Sequence, residues 1–319
     1  MFLRKTLSVI VVAVLTSALQ QAPAQSGPSP SHLGKIVTVA TFDPTQSQLP
    51  EGVALDDEGN IYVGFYPTGQ ILRITPNGTQ SILATLDVGS KGGGLVGFAL
   101  DEEDNLYVCL ASFDPATHGI WKVDHNGTTR QIAKLDPTGF PNGLVFDDRG
   151  NLFVTDSYLG AIWKVSKSGE AILWLKDPLL DPIFAYGANN IEIDRGDLFV
   201  TNTDQSSIVR VKPGDDGSSP HAEIFVQSPA LFGADGISFD VQHNAYVTSD
   251  YINILVRVTP EGDIATLATA NDGLDFPADT YFGQKHGQRK FLFWTNGGYN
   301  FTLPSLQKMD VGILGARLP

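Results

Sequence analysis

Along nearly the whole chain, short apolar runs alternate with clusters of Gly, Asn, Asp and Pro. Past the N-terminus no segment sustains a helical period, so strands and turns are the expected elements. Six segments repeat: "PEGVALDDEGNIYV" from Pro50, "LVGFALDEEDNLYV" from Leu95, "PNGLVFDDRGNLFV" from Pro141, "ANNIEIDRGDLFV" from Ala188, "ADGISFDVQHNAYV" from Ala234 and "PADTYFGQKHGQRKFLFW" from Pro277. Their second positions are 51, 96, 142, 189, 235 and 278. The spacing, roughly 45 residues, is that of a four-stranded propeller blade. Each copy reads as an inner strand ("GLVF"), an acidic turn ("DDRGN"), a second strand ("LFVTD"), a loop, a third strand ("AIWKVS"), a Gly turn ("KSGE") and a fourth strand. The acidic turns read as ordinary surface turns. The expected fold is all-β, a six-bladed β-propeller over residues 34–319. "GKIVTVATF" (34–42) reads as a fourth strand with no blade before it, and the last repeat ends at a third strand, "LQKMDVG". The N-terminal strand should therefore complete the last blade and remove an exposed edge.

Arg4 and Lys5, the apolar run 7–19 and the small residues Ala22-Pro23-Ala24 predict a signal peptide over 1–24, followed by a linker over 25–33. A secreted or periplasmic protein is expected. With 42% hydrophobic and 18% charged residues the rest is globular. The net charge of −14 is spread along the chain, which argues against nucleic acid or an anionic membrane as partner. A small-molecule substrate and a monomer are expected. The single cysteine, Cys109, excludes an intrachain disulfide. It sits in "NLYVCLAS" and reads as a buried small residue rather than a nucleophile. N-x-T sequons occur at Asn77, Asn126 and Asn300. The Asn-Gly pairs at the first two are equally explained by hairpin turns.

In a propeller the first strand of each blade lines the central axis, so its leading residue points toward one mouth of the tunnel. Around the ring that residue is Glu51, Val96, Asn142, Asn189, Asp235 and Ala278. Four of these six carry side-chain oxygen, the donor set of a hard cation such as Ca²⁺ or another hard divalent ion. No His or Cys shares the positions, which disfavours zinc. The plainer reading is that Asn and Asp start turns there, but a Glu in the first copy is not a turn preference. Asn190 and Asp279, one place on, are possible further donors. Loops on the same face carry Phe140, Phe184, Tyr186, Phe232 and Phe276 before the inner strands, and Tyr66, Phe113, Tyr158, Tyr251 and Tyr299 after the second strands. Two readings of these rings stay open: an apolar rim for an apolar or aromatic substrate, or packing between blades.

With the repeats, the first-blade "PEG", the third-blade "PNG" and the fifth-blade "ADG" in place, the chain resembles the senescence-marker-protein/gluconolactonase propellers, which include regucalcin. It is more distantly similar to paraoxonase and strictosidine synthase. The resemblance covers nearly all of residues 34–315. It implies a divalent cation held by Glu51, Asn142 and Asp235, with Asp235 as acid/base, and a further ligand at Asn189 as in the paraoxonase branch. The second blade departs from the pattern. Sugar-lactonase members carry polar groups there and paraoxonases a catalytic His, whereas this chain has "GGGLVG" with Val96. His118 and His125 come later in that blade, away from the expected cation.

"GGGLVG" also fits G-x-G-x-x-G, but it precedes a strand and not a helix, so nucleotide binding is not implied. Neither G-x-S-x-G nor H-E-x-x-H occurs. The expected function is a metal-dependent hydrolase of a lactone or ester with a fairly apolar substrate. Two alternatives stand beside it: a non-hydrolytic condensation or cyclisation on the same scaffold, as in strictosidine synthase, and a non-catalytic binding propeller like the NHL-repeat proteins.

Overall fold

The computed structural model describes residues 33–214 and 219–316. The expected signal peptide and all of the linker except Leu33 lie outside these residues. Six four-stranded antiparallel sheets form the ring. Their inner strands are β2 (Pro50–Leu55), β6 (Gly94–Leu100), β10 (Pro141–Phe146), β14 (Ala188–Asp194), β18 (Ala234–Phe239) and β22 (Pro277–Phe282). Each pairs with a second strand: β3 (Ile61–Phe65), β7 (Leu106–Ala111), β11 (Leu152–Asp156), β15 (Asp197–Asn202), β19 (Ala245–Ser249) and β23 (Phe291–Asn296). No α-helix occurs among the described residues.

The sixth blade is closed as the sequence predicts. β1 (Val37–Thr41) pairs antiparallel with β24 (Ser305–Asp310), outermost in the sheet that contains β22 and β23. Phe42 then turns inward and packs edge-on against Phe65 of the first blade, with ring centroids 5.0 Å apart. The chain ends are thus tied by hydrogen bonds and a ring contact without any disulfide. Other blade boundaries use the same device. Tyr107 meets Phe146 at 4.9 Å and Tyr246 meets Phe282 at 5.4 Å, both edge-on, while Phe199 meets Phe239 tilted at 5.0 Å. Edge-to-face rings add directional attraction to the area they bury.

The acidic turns are more than surface loops. In four of the six blades the first Asp of the hairpin accepts the backbone N–H of an Asn four residues on: Asp56–Asn60, Asp101–Asn105, Asp147–Asn151 and Asp240–Asn244. Asp56 and Asp240 are buried, and each also accepts a tyrosine hydroxyl, from Tyr62 and Tyr246. Cys109 is buried in β7, and burial pushes its thiol well up, so it packs as an inert hydrophobe.

All six inner strands carry the same irregularity. Two residues of each oppose one residue of the second strand, with register shifts at Pro50/Val53, Leu95/Phe98, Pro141/Leu144, Ala188/Ile191, Ala234/Ile237 and Pro277/Thr280. A β-bulge of this kind leaves the extra residue unpaired and re-aims its side chain. The first bulge residue is Glu51, Val96, Asn142, Asn189, Asp235 or Ala278. The Asn-Gly and Asp-Gly pairs at these places therefore make bulges, not turns.

Candidate metal centre

The second bulge residue is Gly in four blades, at Gly52, Gly97, Gly143 and Gly236. A Cβ on Gly52 would sit 2.2 Å from the Val96 carbonyl oxygen, and one on Gly97 2.3 Å from that of Asn142. The next blade's bulge approaches so closely that only Gly fits. In the other two blades the position is Asn190 or Asp279. There the side chains turn into the tunnel and join, Asn190 Nδ2 donating to Asp279 Oδ1 at 2.7 Å.

Facing the bulge on the second strand is Thr155, Thr201, Thr248 or Thr295 in four of the blades. The freed N–H of Gly143, Asn190 or Gly236 donates to the hydroxyl oxygen of Thr155, Thr201 or Thr248 at 2.9–3.0 Å. The hydroxyl hydrogen goes forward to the next blade. Thr201 donates to the Asp235 carbonyl and Thr295 to the Glu51 carbonyl, both at 2.6 Å, and Thr155 and Thr248 donate to the carbonyls of Asn189 and Ala278. In three blades one hydroxyl thus satisfies one bulge and fixes the backbone of the next, an obligation that buried amides and carbonyls impose.

Two residues further along the second strand, a second row sets the side chains. Ser157 Oγ donates to the Ala188 carbonyl at 2.6 Å, which uses its only hydrogen. It can then only accept from Asn142, and Asn142 Nδ2 donates to it at 3.1 Å. Thr203 repeats the device, donating to the Ala234 carbonyl and accepting from Asn189 Nδ2, both at 2.9 Å. Both amides therefore turn their Nδ2 groups away and their Oδ1 atoms to the cavity. Asn189 Oδ1 is buried without a partner. The same row in the fifth blade carries Asp250, beside Asp235.

Glu51, Asn142, Asn189, Asp235, Asp250 and Thr203 line one cavity of about 200 Å³ with six aromatic residues. No Lys, Arg or His lines it. Asp250 Oδ1 is buried and unpartnered. Burial, then the neighbouring Glu51, pushes the carboxyls of Asp235 and Asp250 well above the usual range. Burial, then Asp279, raises Glu51 to about 8. Alone, these groups repel one another and resist ionising. Among the described residues no group of three or more His, Cys, Asp or Glu is arranged to hold an ion by itself. A cation here needs the amide oxygens as well. The donor set is all oxygen and mixed in charge, with an orphaned amide oxygen and an orphaned carboxylate oxygen, and it fits a hard divalent ion.

Of the ten aromatic residues singled out, Tyr66, Phe140, Tyr186, Tyr251, Phe276 and Tyr299 line the cavity. Phe113, Tyr158, Phe184 and Phe232 lie outside its lining. Phe113 and Tyr158 stack at 6.1 Å and both pack on Phe140 from behind, while Phe184 and Phe232 pair at 6.3 Å on the exposed rim. Some of the rings thus face the cavity and the others pack behind it or on the rim. Burial, aided by Glu51, raises the Tyr66 hydroxyl to about 12, so it stays a neutral donor. His118 is buried behind Phe113, whose N–H donates to its Nδ1 at 3.2 Å, and it does not reach the cavity. Sequence reasoning missed Asp250, Thr203 and Ser157. The signal was the position two residues after the recurrent strand Thr, in "TDS", "TNT" and "TSD".

A family model described as strictosidine synthase-like, N-terminal, matches residues 35–74. A curated relative, lactonase drp35 of Staphylococcus aureus, is 25% identical over 208 residues, 62% of this chain and 62% of the relative. The match thus spans less than two thirds of the relative's length. Among solved structures, a calcium-binding protein, regucalcin, from Agrobacterium tumefaciens superposes with a TM-score of 0.66 at 15% identity, covering 90% of this chain and 96% of that one. A gluconolactonase from Xanthomonas campestris gives 0.64 at 17% identity, covering 86% and 89%. In fold, and in sequence over part of its length, the chain is similar to the lactonases and to the gluconolactonase/regucalcin group of six-bladed propellers.

Proposed function

We propose that the protein is an exported, divalent-metal-dependent hydrolase of lactones or esters. One observation carries this reading: the amide oxygens of Asn142 and Asn189 are locked toward a cavity that also gathers Glu51, Asp235 and Asp250 and offers them no basic partner. Glu51, Asn142, Asn189 and Asp235 would hold Ca²⁺ or another hard divalent cation, with Asp250 supplying further negative charge. A bound cation supplies electrophilic polarisation of a carbonyl and a more acidic water. Asp235 then accepts a proton from water in a site whose enclosure strengthens every charge interaction. The neutral hydroxyls of Tyr66, Tyr251 and Tyr299 orient the substrate. The rings of Phe140 and Phe276 exclude bulk water and favour an apolar substrate. The apolar segment 7–19 behind Arg4 and Lys5 supports export to the periplasm or beyond. A lactonase relative over part of the chain is consistent with the reaction class.

The deciding experiment is a screen of lactones and aryl esters with added Ca²⁺ and with chelator. Hydrolysis that chelation abolishes and Ca²⁺ restores supports the reading. Hydrolysis indifferent to chelator, or calorimetry showing no divalent cation bound, overturns it.

A further inference from the structure

A second concavity opens beside the metal cavity on the same face, between the fourth and fifth blades. It has a volume of about 550 Å³ and is lined by Gln205, Ser206, Gln227, Ser228, Pro229, Phe232 and Ile252. No charged side chain lines it.

Several polar groups of its wall are tied to backbone. Gln205 Nε2 donates to the carbonyls of Pro178 and Asp181 at 2.8 and 2.9 Å. Gln227 Nε2 donates to the Gln205 carbonyl at 2.9 Å. Ser228 Oγ accepts the Ala230 N–H at 3.3 Å, and the Ser228 N–H donates to the Ser206 carbonyl at 3.0 Å. Ser206 holds a left-handed backbone, φ 55°, without being Gly. Such a conformation persists only where its surroundings enforce it. What the slot presents is the Pro229 ring, the Phe232 ring, Ile252 and the methylenes of two tethered glutamines.

The slot adjoins the metal cavity across two rings. Tyr251 lines the cavity, Phe232 lines the slot, and they meet edge-to-face at 5.3 Å. Phe232 is 36% and its neighbour Phe184 59% exposed, so the two paired rings make a contiguous apolar patch at the slot's edge. The loop beside it is held rigid. One oxygen of Asp204 accepts the N–H groups of Ile183, Phe184 and Ala185 at 2.7–2.9 Å, which fixes Phe184 against Phe232. The apolar path from cavity to slot is therefore pre-organised.

We propose that this slot is a substrate subsite, which takes the apolar alkyl tail of a lactone or ester whose carbonyl lies in the metal cavity. The inference rests on the hydrolase reading above and names its substrate class: neutral lactones or esters bearing a linear alkyl chain. A tail leaving the cavity crosses Tyr251 and Phe232 and ends among Pro229, Ile252 and the glutamine stems. A sugar lactone has no group for this slot.

The test is a series of γ-lactones with side chains from none to about eight carbons, assayed on the full mature chain with Ca²⁺, beside the matching non-hydrolysable γ-lactams measured by calorimetry. Buried methylenes should raise kcat/KM and lactam affinity by roughly two- to fourfold each. Phe232→Ser and Ile252→Asp should flatten that slope. The slope is a ratio within one preparation, so partial unfolding lowers every member alike and leaves it unchanged. Lactones hydrolysed with no dependence on chain length overturn the subsite and leave the hydrolase standing. Lactams that bind more tightly with length, in a protein that hydrolyses no lactone, keep the subsite and overturn the hydrolase. Slopes equal in wild type and both variants overturn the subsite in either case.

Discussion

At the scale of single residues, carboxylates that share one cavity differ in what surrounds them. Glu51 stands at the head of the first blade, and its backbone carbonyl is fixed by Thr295. Asp235 lies near Asp250, just past the end of the paired second strand, and the charges of Glu51, Asp250 and Asp279 all act on it. If Asp235 is both ligand and base, Asp235→Asn keeps a donor oxygen and removes the base. Turnover should fall roughly 100-fold or more even at saturating Ca²⁺. Glu51→Gln should act on affinity, so excess Ca²⁺ restores most of its activity. Equal rescue of both variants in a Ca²⁺ titration would reduce Asp235 to a ligand. The hydroxyl behind Asn189 allows a separate test. Thr203→Val deletes the acceptor that holds Asn189 Nδ2, so the amide is free to turn its oxygen away. Ca²⁺ affinity measured by calorimetry should drop about tenfold, the scale of lost outer-shell support, and Thr203→Ser should recover it. An unchanged affinity in Thr203→Val would show that the amide needs no such holder.

At the scale of the element, the bulge is the unit that makes the site, and it was only half legible. The repeat period exposed the positions of Glu51, Asn142, Asn189 and Asp235, because identical geometry recurs every blade. The bulge itself was hidden, since Asn-Gly and Asp-Gly carry the composition of a hairpin turn. The threonines opposite read as ordinary strand formers. Nothing in "VTD" or "VTN" says that the hydroxyl reaches the following blade, because a contact between blades leaves no mark in local periodicity. Asp250 escaped for the same reason, since an acid at a strand end reads as the start of a loop. Ring directions were not legible either: loop spacing placed Phe113 and Phe232 on the correct face without saying which way they turn. The threonine bridge has a measurable worth. Thr201→Val leaves the Asn190 N–H and the Asp235 carbonyl unpaired in the interior. Each buried unsatisfied group costs about 1–3 kcal/mol, so for the two of them the urea midpoint should correspond to a loss of roughly 2–6 kcal/mol. A loss below about 1 kcal/mol would mean that water replaces the bridge.

At the scale of the whole molecule, the ring encloses acids in its tunnel and must close on itself. Glu192 and Asp279 line an inner cavity with Asn190, separate from the one lined by Glu51 and Asp235. Burial raises Glu192 from 4.5 to about 8, so the folded protein holds a proton there that the unfolded chain releases above about pH 4.5. That contribution to stability is complete below pH 4.5 and is lost steadily as pH rises toward 8. Glu192→Gln keeps the size and the carbonyl oxygen that accepts the Ile193 N–H, without the charge. Its melting temperature should match wild type near pH 4 and exceed it by several degrees near pH 8; an offset that does not vary with pH would rule the account out. Closure of the ring matters as well. β1 adds the fourth strand to the last blade, with Val37, Thr38, Ala40 and Thr41 paired to Lys308, Gln307, Leu306 and Ser305. Without it β24 presents a bare edge, Phe65 loses the Phe42 ring, and the Pro304 carbonyl loses the Phe42 N–H. Loss of the Phe42 ring alone is worth about 3–5 kcal/mol, before any strand hydrogen bond is counted. At roughly 2–4 °C per kcal/mol for a large domain, a chain starting at residue 43 should melt at least about 10 °C lower than one starting at residue 25. It should also self-associate through the exposed edge, visible as a second species in sedimentation. A truncated chain that melts with the longer one and stays monodisperse would mean that β1 is dispensable to the ring.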